Sequence, residues 1–149
     1  MSIINQLSDE KEPFATCLLS TDCTTTNGIE HRVLEDNGQG DILLQYMDDA
    51  LQRHHIRLEA LQRHMDLIAT LKIKNLPVLR SPYPQALTTQ KGNFAEVFLA
   101  EYLISTTDMD LPVYRLRYNT NPDQSMKGDD VLLFDLDSDP VRIIVGESN

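Results

Sequence analysis

Apolar residues recur at intervals of three and four through the first half of the chain: Ile42, Leu43, Tyr46, Met47, Ala50, Leu51, then Leu58, Leu61, Met65, Ile68 and Leu71. That period gathers them on one face of a long helix. Asn37-Gly38-Gln39-Gly40 breaks the chain ahead of it and Asp41 supplies a natural N-cap. The pattern loosens around His54-His55, and Asn75-Leu76-Pro77 stops it. A second helix is predicted from a Thr88 or Thr89 cap to about Ile104. Phe94, Val97, Phe98, Glu101 and Tyr102 give it a face that alternates between core and site. Strand-like stretches lie at 14–20, 29–34, 111–117, 131–136 and 141–145. The last two are joined by Asp137-Ser138-Asp139-Pro140, a hairpin signal. Residues 1–12 are polar and are expected to fray.

A loop with Pro77, Pro82 and Pro84 separates the two halves. Val78, Leu79, Tyr83 and Leu87 are interleaved with these prolines, which marks an ordered connection and not a domain linker. The division predicted is an N-terminal lobe over 1–87, with short strands and a long helix, and a core over 88–149. The mixture of strands and helices predicts an α+β (or α/β) fold.

Composition bounds the function. At 149 residues the chain is long enough for one domain with a real core. The net charge of -10 and pI near 4.6 argue against a free-standing grip on nucleic acid, which relies on clustered Lys and Arg. They do not argue against a metal-dependent enzyme, whose site needs carboxylates, and a basic partner subunit could supply the groove. Cys17 and Cys23 lack finger spacing and read as two free thiols. His54 and His64 are too far apart on a helix to share a metal, and the helix histidines read as solvent-facing. The basic run from Arg53 to Arg63 reads as a hydrated helix face. Ser20, Ser81 and Ser148 lack the partners of a serine hydrolase. No signal peptide or membrane span is visible, so the default compartment is cytoplasmic.

The chemistry is concentrated in the last third. Glu96 falls on the predicted helix, Asp130 at the opening of one strand, and Glu147 at the end of the next. Phosphodiester hydrolysis needs an activated water and a stabilised pentavalent charge, and Mg²⁺ held by hard oxygen ligands does both. Asp130 is the central candidate ligand, Glu147 faces it across the hairpin, and Glu96 approaches from the helix. Arg115 and Arg117 are predicted to project from one face of the 111–117 strand and are candidates for DNA phosphate contact. Lys127, just before Gly128, is a third.

The runs Gly-Asn-Phe-Ala-Glu-Val-Phe-Leu-Ala-Glu-Tyr-Leu (92–103), Met-Lys-Gly-Asp-Asp-Val-Leu (126–132) and Ile-Ile-Val-Gly-Glu-Ser (143–148) resemble the HamA family. These are nuclease subunits of Hachiman anti-phage defence systems, with a core of the PD-(D/E)XK restriction-endonuclease type. The resemblance is best over 88–149. It implies a mixed sheet flanked by helices, metal binding by Glu96, Asp130 and Glu147, Mg²⁺ or Mn²⁺ as cofactor, DNA as substrate and a helicase subunit as partner. The family pattern carries a lysine two residues after the last acid, where this chain has Asn149. Family members also continue beyond that point. A degenerate member, a fragment, and a chain completed by a second subunit are all consistent with this. The departure sets a rival beside the nuclease: a non-catalytic protein-interaction module on a degenerate nuclease fold.

Overall fold

The computed structural model describes residues 11–71 and 81–148. The helix stop at Asn75-Leu76-Pro77, the loop residues Val78 and Leu79, most of the N-terminal segment expected to fray and Asn149 lie outside them. The elements run α1 (Phe14–Cys17, a single turn), β1 (Leu18–Thr24), β2 (Glu30–Asp36), α2 (Gly40–His55), α3 (Leu58–Leu71), α4 (Leu87–Thr106), a 3-10 turn (Arg115–Tyr118), β3 (Val131–Asp135) and β4 (Arg142–Gly146). The class is α+β.

The strands form two separate antiparallel pairs. β1 pairs with β2 from Leu18↔Asp36 to Thr24↔Glu30, and β3 with β4 from Val131↔Gly146 to Asp135↔Arg142. No parallel pair, and so no mixed sheet, occurs among the described residues. A bridge between Asp110 and Phe134 lays the segment after α4 briefly along β3.

Two readings of local structure are corrected, and the break expected near His54-His55 is located. Residues 14–17 form a helical turn, with the strand beginning at Leu18. That turn buries Phe14 edge-on among Tyr46, Phe98 and Tyr102, with each ring centroid 5.6 Å away. The long helix is two helices, α2 and α3, broken at Ile56-Arg57. The strand expected at 111–117 is absent. Pro112 has no N–H for a ladder, and the chain turns into a 3-10 helix that tucks Leu116 beneath α2.

Helix α4 is the centre of the molecule. Val97 packs with Met47, Ala50 and Leu116, which ties α4 to α2. Ala100 and Leu103 pack with Met109, Val131 and Leu133, which ties it to the β3–β4 hairpin. On β3, Val131, Leu133 and Asp135 are buried while Leu132 faces out, the alternation a half-buried strand requires. The start of α4 is held from outside: Asp123 Oδ1 accepts from the backbone N–H groups of Gln85 (2.5 Å) and Ala86 (3.1 Å), and neither Thr88 nor Thr89 caps it. No residue of helix α3 is buried. No helix among the described residues is long and apolar enough to cross a membrane.

Candidate functional site

Glu96 lies midway along α4 and is only 7% exposed. A carboxylate so placed needs compensating charge and hydrogen bonds. Arg115 supplies both. Its Nε donates to Glu96 Oε1 at 2.7 Å and its Nη2 to Glu96 Oε2 at 2.9 Å, a bidentate fork. The same Nη2 donates to Asp130 Oδ1 at 3.1 Å. The other oxygen of Asp130 accepts from the Ser148 backbone N–H (2.8 Å) and hydroxyl (2.9 Å). The hydrogen bond to Glu96 leads the effects that push the Arg115 pKa up, against the cost of burial, with the charges of Glu96, Asp130 and Asp129 adding to it. Gly128, with φ at +113°, turns the chain beside the guanidinium, and a Cβ there would stand 3.8 Å from Arg115 Nη1.

The acids from the helix and from the first strand therefore meet, through one shared cation. The third is set differently. β3 and β4 pair as far as Val131↔Gly146. One more step in that register would put Glu147 opposite Asp130, with both side chains on one face. Glu147 is exposed, and among the described residues no three acids, histidines or cysteines form a group that could hold a metal. The donor set nonetheless fits a hard divalent cation. Two carboxylates on separate elements already converge on a positive centre, and Mg²⁺ asks for no more than one or two from a protein.

A cavity of about 520 Å³ opens at this centre, lined by Glu96, Arg115, Asp130, the exposed Lys127 and Asp129, and His54. Arg117 is not there. On a 3-10 turn, residues two apart diverge where a strand would align them. Arg117 instead donates through Nε to the Arg53 carbonyl (2.7 Å) and stacks on Tyr114 (4.3 Å). The two arginines expected to share a face have separate duties.

The histidines are also corrected. His54 and His55 are buried, at 4% and 5% exposure. His54 Nε2 lies 2.7 Å from Glu101 Oε1, while Glu101 Oε2 accepts from the Tyr46 hydroxyl (2.5 Å) and Arg53 Nη2 (3.1 Å). Burial works to raise the Glu101 pKa. The hydrogen bonds from His54 and Tyr46 and the charges of His54 and Arg53 outweigh it, so the carboxyl sits below its ordinary value. Burial, then the bond to Glu101, push the Tyr46 hydroxyl up to about 12. Burial lowers the His55 pKa; its Nδ1 is 2.8 Å from the Leu51 carbonyl and its Nε2 3.0 Å from Asn93 Nδ2. One signal for this network was present: His54 continues the Met47, Ala50 stripe at helical spacing. Both cysteines are free thiols, Cys17 buried and Cys23 half-buried.

Among known proteins, the HamA family matches residues 12–149. The Hachiman protein HamA of Bacillus cereus is 34% identical over 122 residues, covering 79% of this chain and 44% of that protein. The chain thus spans less than half the length of this relative. No solved structure matches. The match runs through α4, the 3-10 turn and the β3–β4 hairpin that carry the acid cluster, and the chain belongs to the HamA family.

Proposed function

We propose that this chain carries the metal-binding part of an anti-phage defence effector, a DNA endonuclease that uses Mg²⁺ or Mn²⁺ and works beside a helicase subunit. Family membership and the Hachiman name of its relative support the defence role. The observation that carries the chemistry is the convergence of Glu96 and Asp130 on one positive centre at a cavity. When bound, the metal would acidify a water and neutralise charge building on the phosphate. Asp130 and Glu96 would hold it, and Glu147 would face it from the neighbouring strand. Lys127, at the edge of the cavity, is the basic group best set to meet a phosphate.

The test is plasmid nicking with Mg²⁺ or Mn²⁺ by the chain itself, Asp130→Ala and Asn149→Lys. The expected outcome is metal-dependent nicking that Asp130→Ala abolishes and Asn149→Lys increases. No nicking and no metal binding in any form ends the nuclease reading. The rival, a non-catalytic interaction module on a degenerate nuclease fold, is favoured by the amide of Asn149 in the lysine position, which offers no cationic contact. A chain that ignores metal yet forms a stable complex with the helicase subunit would establish it.

A further inference from the structure

The guanidinium of Arg115 fills the place between Glu96 and Asp130 that a metal ion would need. Three of the four oxygens of these carboxylates point at it, and Ser148 takes the fourth. Two carboxylates sharing one guanidinium keep a net negative charge of one, and the exposed Asp129 adds to the field. A divalent ion in the same place would balance the pair fully. A dication and the guanidinium cannot both lie between the two carboxylates, since they would take the same oxygens, so the two compete for that place. Arg115 also has somewhere to go, since its side chain borders the 520 Å³ cavity.

We infer that Arg115 is the resident counter-ion of this carboxylate site and that a divalent ion enters only by displacing its guanidinium from Glu96 and Asp130. The inference rests on the metal-site reading above and deepens it. The ion pair stabilises the two acids while no metal is bound, and it sets a threshold of metal concentration below which the site stays closed. A bidentate fork suits this role, because it satisfies both oxygens of the buried Glu96 at once, which a lysine could not do.

Calorimetric titration with Mn²⁺ alone, on the unaltered chain and on Arg115→Ala, tests this. The expected result is Mn²⁺ binding at least about tenfold tighter in Arg115→Ala, because the competitor is gone. A second readout needs no mutation. Mg²⁺ added to the unaltered chain should shift the Arg115 Nε–H resonance and speed its exchange with water, as its bond to Glu96 opens. Equal or weaker Mn²⁺ binding by a folded Arg115→Ala overturns the inference while the metal site stands. So does an unmoved Nε–H signal at saturating Mg²⁺. If circular dichroism shows Arg115→Ala unfolded, the resonance of the unaltered chain decides alone. No binding by either protein removes the metal site and the displacement together.

Discussion

Two glutamates five residues apart on α4 are both buried, and they are held in opposite ways. Glu101 has three separate donors, His54, Tyr46 and Arg53, all from α2. Among the described residues Glu96 has one donor residue, Arg115, which it shares with Asp130 at the wall of a cavity. A carboxylate satisfied three times over by one neighbouring helix is a fastener. A carboxylate satisfied by a single cation that a second acid also claims has no other donor among the described residues to fall back on. Burial alone, at 4% and 7% exposure, does not separate them. The number and independence of the donors does.

The contrast breaks most sharply in activity. Asp130→Ala should lower metal-dependent nicking by about a thousandfold or more, because a lost ligand removes several kcal/mol of transition-state stabilisation. Its thermal midpoint should move little, since Arg115 keeps its fork to Glu96. Glu101→Ala should do the reverse. It leaves His54, Tyr46 and Arg53 without their shared acceptor, at a cost of about 3–5 kcal/mol. Urea unfolding measures that loss, and Mn²⁺ titration of the folded fraction should be unchanged. A Glu101→Ala protein of full stability would erase the distinction.

Acid titration sharpens the same comparison with a smaller effect. The folded pKa of His55 is lowered from 6.5, so the unfolded chain takes up its proton first. The stability it carries is complete above pH 6.5 and is lost as pH falls through the depressed value. Glu101 is lowered from 4.5 and follows the same sign in a more acidic window. The thermal midpoint should therefore decline in two stages below pH 6.5. His55→Gln should flatten the first and Glu101→Gln the second. A midpoint constant from pH 7 to pH 3 would contradict both. The smallest effect belongs to α3. Met65→Gln, at a residue 56% exposed and outside both clusters, should change stability by no more than about 0.5 kcal/mol in the same urea assay.

Period carried much of the fold into view. The apolar runs at 131–136 and 141–145 and the turn at Asp137–Pro140 located the β3–β4 hairpin. The three-and-four spacing located α2 and α4. What stayed hidden was the cation or base that each buried acid meets. Arg115 looked like an exposed strand residue because its own neighbours alternate; its role depends on Pro112 ending the pairing and on α4 standing alongside. His54 and His55 looked solvated because their type favours it, yet the stripe beginning at Met47 reached them. Local pattern names an element and its buried side. Which buried acid meets which base is decided by packing between elements.

Helix α4 is a continuous hydrogen-bonded rod, and five residues along it amount to about 7.5 Å and somewhat over one turn. Glu101 and Glu96 are thus held at a fixed separation. That one rod is where two neighbours find their register: α2 through His54, Tyr46 and Arg53 on Glu101, and the 3-10 turn through Arg115 on Glu96.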